Sequence, residues 1–186
     1  MSVKPLTSKT GNSTADNTQL DSLIFRIAER DTEALAELYR LTGTSIYVFA
    51  LSILKNTYDA EDVLHDCYLN IFSAAASYRS GGKPMACIMT IARNLCLHQL
   101  RERSRKQDLS CEDWENLLPE EEALSPEDRI VIRECMNRLS DEERQIVLLH
   151  AVGGLKHKET AGLLQLPLST VLSKYHRALQ KLRKAL

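Results

Sequence analysis

The residues best suited to chemistry here are cations spaced at helical intervals. Near the C-terminus, Thr170, Lys174, Arg177, Lys181 and Lys184 recur at i, i+4, i+7, i+11 and i+14. Leu172, Tyr175, Leu179, Leu182 and Leu186 fall on another face, which is expected to be buried. A helix with one apolar and one cationic face can lie in the major groove of DNA. Its first residues then reach base edges and its later cations hold phosphates. A solvated basic surface helix would show the same pattern. Two further features favour the groove: a short helix from Lys158 to about Leu164, and a break at Gln165-Leu166-Pro167. Two short helices around a tight break outline a helix-turn-helix.

A second basic face lies upstream. Asn94, His98, Arg101 and Arg105 fall at i, i+4, i+7 and i+11. A metal role for His98 is disfavoured, because no second ligand sits one turn away. A third face is acidic. Asp62, His65, Asp66 and Leu69 lie opposite an apolar stripe of Val63, Leu64, Cys67, Tyr68, Ile71 and Phe72. A leucine rimmed by acids suits a partner surface that carries arginine. No pair of carboxylates in an apolar setting, no glycine-rich phosphate loop and no Ser/His/Asp arrangement is recognisable, so an enzyme is not supported. Cys67, Cys87, Cys96, Cys111 and Cys135 form no CxxC pair and no zinc-type spacing. That dispersed, odd set suits a reducing cytoplasm, with Cys111 in the most polar surroundings. No cofactor or metal is expected.

The elements that must carry these faces are helical. Asp21 to Arg30 reads as one helix, and Asp31 caps a second that ends near Gly43. Thr44 to Leu54 reads as a third, and Asp59 opens a long fourth with Glu61 and Asp62 complementing its dipole. The stretch from Ser77 to Lys83 breaks the pattern, and Pro84 starts a fifth helix that runs to about Arg105. Ser125-Pro126-Glu127-Asp128 is another helix start, and Ser140 to Glu143 is a capping box. Gly153-Gly154 ends that helix, and the last helix begins at Ser169.

The chain has 186 residues, 44% hydrophobic and 26% charged, with only 7 glycines and 5 prolines. These values disfavour wholesale disorder and a turn-rich β protein. No apolar run approaches the roughly 20 residues of a membrane span, and no secretory signal is expected. The formal net charge of −1 looks unlike a nucleic-acid binder, but it is a cancellation. Arg93 to Lys106 holds five basic residues and one acidic. Gln107 to Asp128 holds nine acidic residues and no basic one. Lys156 to Leu186 holds seven basic residues against Glu159. Salt screens charge beyond roughly 8–10 Å, so the local blocks matter and the total does not. The expected organisation is all-α. A disordered arm covers 1–19, a helical domain 20–106, an acidic flexible linker 107–125, and a second helical domain 126–186.

In this order, the motifs resemble those of the extracytoplasmic-function group of bacterial sigma factors. Ala60-Glu61-Asp62-Val63-Leu64, continuing to Phe72, resembles that family's AED-led helix. Thr90-Ile91-Ala92-Arg93-Asn94 resembles its TIARN motif. Leu139 to Leu149 resembles the opening of its second domain, and Glu159 to Ala178 its helix-turn-helix. The chain departs from the common pattern at Pro84, Cys87, Gln165, Ser169 and Leu172, and the last removes a cation near the base-reading end.

The resemblance implies a region 2-like bundle and a region 4-like helix-turn-helix, which together direct core RNA polymerase to promoters. It implies that Asp62, His65, Asp66, Leu69 and Asn70 contact core polymerase. Arg79, Lys83, Arg93, Asn94, His98, Arg101 and Arg105 would meet the −10 element and its melted strand. There Gly81-Gly82 lets the backbone approach closely, and Asn94 offers donor and acceptor together. Lys156, His157, Lys158, Ser169, Thr170, Ser173, Lys174, Arg177 and Lys181 would meet −35 duplex DNA. The same likeness implies an anti-sigma partner, while the cytoplasmic setting and the absence of membrane insertion rest on the cysteine pattern and the missing apolar run. The alternative is an ordinary helix-turn-helix regulator that works without polymerase, which predicts a dimer on a symmetric operator.

Overall fold

The computed structural model describes residues 13–106 and 137–184. The acidic linker, the helix start at Ser125-Pro126, Cys111, Cys135 and Leu186 lie outside the described residues. Within them every regular element is a helix, and there is no strand. α1 spans Ser13–Ala28, α2 Thr32–Leu54, α3 Thr57–Ala74 and α4 Pro84–Lys106. A 3₁₀ turn at Ala75–Ser77 follows α3. α5 spans Asp141–Ala151, α6 His157–Leu164 and α7 Leu168–Arg183.

Three sequence expectations change. Residues 13–19, expected to belong to a disordered arm, are the first turns of α1. Asn17 and Gln19 tie those turns down, to the Gly82 carbonyl at 3.3 Å and the Glu37 carboxylate at 3.1 Å. The break expected at Gly43 does not occur, and α2 runs through it as one helix of 23 residues. Gly43 is buried, and a Cβ there would stand 3.6 Å from the Tyr39 ring and 3.7 Å from the Tyr68 hydroxyl. Thr42 next to it bonds the Leu38 carbonyl at 2.8 Å and the Tyr68 hydroxyl at 2.7 Å. Tertiary contact on both sides overrides glycine's weak helix propensity. Finally, Asn56 rather than Asp59 caps α3, accepting from the Asp59 N–H at 3.0 Å.

The other signals hold to within a residue or two. The Asp31 carboxylate caps α2 through the Ala34 N–H at 3.1 Å. Ser140 and Glu143 close their capping box at 3.4 and 3.1 Å. Gly154 supplies the positive φ (+67°) that turns the chain out of α5.

α2 is the hub. Ile46, Val48, Phe49, Ala50 and Leu51 along it are fully buried, so this stretch is apolar all round. Ile46, Val48, Phe49 and Leu51 each contribute about 1.5–3 kcal/mol on burial. α1, α3, α4 and α5 all pack against it. Leu149, Leu164 and Val171 from the later helices, and Leu155 from the turn between α5 and α6, join one apolar cluster with Ile27, Ile46 and Ile88. Polar ties cross the same boundary, from the Ser45 hydroxyl to the Val152 carbonyl (3.0 Å) and from Lys55 to Asp141 (3.3 Å). A smaller cluster of Leu139, Val147, Ala178 and Leu182 holds α7 on α5.

Because a Cβ at position 43 meets only ordinary contacts, Gly43→Ala should stabilise the protein by about 0.5–1 kcal/mol. Thermal denaturation should show a rise of about 1–4 °C. A fall would mean that the close approach of Tyr39 and Tyr68 needs a glycine.

Candidate nucleic-acid interface

Three exposed faces survive the packing. On α3, burying Val63, Leu64, Cys67, Tyr68 and Ile71 turns Asp62, His65, Asp66, Leu69 and Asn70 outward. Leu69 is 64% exposed. The face is locally ordered: His65 Nδ1 lies 2.9 Å from the Glu61 carbonyl, and the Asn70 amide donates to the Asp66 carbonyl at 2.9 Å. Tyr58, 71% exposed, stands four residues before Asp62 on the same face. Sequence reasoning missed it, although its i−4 spacing was readable.

The second face combines the loop before α4 with one side of that helix. Arg79, Ser80, Gly81, Gly82 and Lys83 are all exposed, and Gly82 adopts φ +68°. Along α4, Asn94, His98, Arg101 and Arg105 are exposed together, as their spacing requires, while Arg93 is half-buried. Arg105 pairs with Glu102 at 2.9 Å in full view of solvent, a bond that yields easily to a phosphate. Arg103 points elsewhere. It pairs with Asp59 and donates to the Leu54 carbonyl at 3.3 Å, pinning α4 to the α2–α3 corner. Cys67 on α3 and Cys96 on the inner side of α4 are both buried, and burial pushes both thiols up to about 12. They therefore act as packing groups.

The third face is α7. The break before it is built as expected. Gln165 takes the left-handed conformation (φ 57°), and the Leu166 N–H returns to the Ala161 carbonyl at 3.0 Å. No glycine is needed there, but Gln165 carries the cost of a Cβ in that region. The buried stripe is Val171, Ala178 and Leu182. Leu172, expected in that stripe, is instead 37% exposed, beside Leu168 at 43%. Leu182 keeps its buried place and Tyr175 and Leu179 are half-buried, while Val171 and Ala178 take the most buried positions instead of Leu172. Ser169, Leu172, Ser173, His176 and Arg177 then share the outer surface, with Thr170 at its margin.

Three residues expected on DNA are engaged within the protein. Lys174 pairs with Glu142 at 2.7 Å. Lys181 meets Glu143 at 2.6 Å, and the Glu143 side chain is only 2% exposed. Burial opposes ionisation of Glu143, but the Lys181 ammonium and the Ser140 N–H outweigh it and hold the carboxyl below its ordinary value. His157 stacks on His150 at 4.2 Å and lies 4.6 Å from the Tyr175 ring. Burial first, then the charges of His150 and His176, hold its imidazole below the ordinary histidine value. Lys156 and Lys158, flanking it, remain exposed.

With this geometry, comparison with known proteins is direct. Residues 38–106 match sigma-70 region 2, and residues 129–182 match sigma-70 region 4. This chain belongs to the sigma-70 family, and the relatives it matches are extracytoplasmic-function sigma factors. The sigma factor SigK of Mycobacterium tuberculosis (strain H37Rv) is 28% identical over 177 residues, spanning 91% of this chain and 95% of its own. SigK of Mycobacterium ulcerans is 27% identical over 174 residues, spanning 90% and 93%. Two solved structures share the fold. CnrH, in complex with the cytosolic domain of CnrY, gives a TM-score of 0.59 at 19% identity, spanning 90% of this chain and 96% of its own. RpoE of Bartonella quintana, in complex with the anti-sigma factor NepR, gives 0.60 at 22%, spanning 80% and 94%. This sigma factor directs promoter-specific transcription initiation by RNA polymerase. No helix among its described residues is long and apolar enough to cross a membrane.

The His157 environment has a measurable consequence for the sigma factor's stability. Its pKa is lower folded than unfolded, so between the ordinary value of 6.5 and its folded value the unfolded state binds more protons. Stability should therefore fall as pH drops below about 6.5. The Glu143 contribution is lost only at lower pH, below its ordinary 4.5. His157→Phe should flatten the dependence between pH 7.5 and 5.5 in chemical denaturation. An unchanged slope would mean that His157 carries no such shift.

Proposed function

We propose a division of labour among the three faces. The α3 face of Asp62, His65, Asp66, Leu69 and Asn70, extended by Tyr58, docks on core polymerase. Its acidic rim would complement a basic surface while Leu69 fills a pocket. The 79–83 loop and the α4 face engage the −10 element. There a base must leave the stack, at a cost of a few kcal/mol. Arg79 and Lys83 would neutralise phosphates, Asn94 would bond a base edge, and Arg93, His98, Arg101 and Arg105 would follow the strand. The α7 face reads the −35 duplex. Ser169, Thr170 and Ser173 would meet base edges, and Arg177, Lys156 and Lys158 would meet phosphates. Lys174 would join only by leaving Glu142, and Lys181 and His157 serve mainly to hold their own helices.

The observation that carries this reading is the separation of the faces. Each is exposed, each backs onto a buried stripe, and the two cationic ones lie on different helices. An ordinary regulator without polymerase leaves the acidic α3 face unexplained. The protein acts through binding, not as an enzyme, and works in the cytoplasm beside polymerase. CnrH and RpoE are each seen with a protein partner, which supports an anti-sigma factor for this chain too.

The test is run-off transcription with core polymerase on a candidate promoter. Transcripts from a defined start should require both core and this protein. Leu69→Asp should weaken core binding by about tenfold or more. Arg177→Ala should lower promoter use several-fold and leave core affinity unchanged. Binding to a symmetric duplex with no effect on core-dependent transcription would favour the regulator instead.

A further inference from the structure

The 78–83 loop lies between the 3₁₀ turn and α4, and its tip has little packing of its own. A Cβ on Gly81 or Gly82 would meet nothing within 4 Å. Left alone, such a segment would be ordered only on binding the melted strand, and that entropy cost would weaken the complex. It is held instead by α1. Tyr78 donates to one Asp21 carboxylate oxygen at 2.5 Å, and Ser80 donates to the other at 2.7 Å. Asn17, one turn earlier on α1, donates to the Gly82 carbonyl at 3.3 Å. The Tyr78 ring leans on Phe25, also from α1, at 5.7 Å between centroids. The Ser80 hydroxyl in turn accepts from the Gly82 N–H at 3.4 Å, passing the constraint to the tip.

We propose that Asp21 is a positioning residue for the −10 loop, its two carboxylate oxygens fixing Tyr78 and Ser80 so that Arg79 and Lys83 meet the melted strand in a preset geometry. The idea rests on the reading of that loop as the −10 contact. Asp21 does not itself suit the strand, because a carboxylate beside a phosphate path repels it. Its value lies in accepting two hydroxyl bonds at once, a task for which the carboxylate's lone pairs suffice. Burial, and then the Asp21 carboxylate itself, push the Tyr78 phenol up, so the phenol remains a donor. The unusual helicity of residues 13–19 gains a purpose here, since it places Asn17 and Asp21 one turn apart beneath the loop.

The experiment uses holoenzyme assembled from core polymerase and the full chain. It measures affinity for a single-stranded oligonucleotide carrying the −10 sequence, with core affinity and melting temperature in parallel. Asp21→Ala should weaken oligonucleotide binding roughly three- to tenfold, the equivalent of one or two hydrogen bonds. Core affinity should not move. Asp21→Asn, which removes the repelling charge but keeps one acceptor, should fall between wild type and Asp21→Ala. Tighter binding by Asp21→Asn would mean that the charge matters and positioning does not, overturning the proposal. Tyr78→Phe with Ser80→Ala should reproduce the loss, and adding Asp21→Ala to that pair should cost nothing more. Additive losses would contradict a shared network. Arg79→Ala with Lys83→Ala separates the two levels. If that pair weakens binding and Asp21→Ala does not, the loop reading stands and the proposal fails. If neither weakens binding, the loop reading fails and takes the proposal with it.

Discussion

The structure depends on the fully buried middle of α2. Ile46, Val48, Phe49, Ala50 and Leu51 leave that helix no face for solvent, so every neighbour must come to it. α1, α3, α4 and α5 all do so. Each spends its apolar stripe there, which leaves its polar side outward. The acidic face of α3 and the basic face of α4 are therefore by-products of one packing demand, while α7 is oriented by its own stripe on α5. The polar ties at Ser45 and Lys55 add orientation to a contact that apolar area already favours.

Charge is sorted by the same logic. Some cations in the basic stretches hold the fold: Arg103 fixes a helix corner, Lys181 neutralises a buried carboxylate, and Lys174 closes on Glu142. What remains outward is a smaller, better-placed set. An exposed pair such as Arg105–Glu102 contributes little to stability. Its loss on binding DNA therefore costs little. Breaking Lys181 from Glu143 would strand a charge with 2% exposure, a costly step. Burial, more than charge count, separates structural cations from those available to nucleic acid.

Much of this was readable from the sequence where the cause is local. The capping box at Ser140, the break at Gln165 to Pro167 and the face shared by Asn94, His98, Arg101 and Arg105 follow from spacing and cap chemistry alone. What escaped was decided by distant partners. Gly43 reads as a helix end until Tyr68 and Tyr39 are packed against it. Leu172 reads as core until Val171 and Ala178 take the buried side of α7. Residues 13–19 read as a polar arm, and nothing in their own composition reveals the Gly82 carbonyl that Asn17 reaches. Lys181 and Arg177 look equivalent on a helical wheel, and only the buried Glu143 distinguishes them.

The central claim is that separate faces of this sigma factor meet separate promoter elements. Its most direct test is site-specific crosslinking of holoenzyme on a promoter, with probes placed singly at Lys83, Arg177 and Asp62. Lys83 should crosslink to the melted −10 strand, Arg177 to the −35 duplex, and Asp62 to core polymerase with no DNA. Crosslinks from Asp62 to DNA, or from Lys83 and Arg177 to the same promoter element, would contradict it.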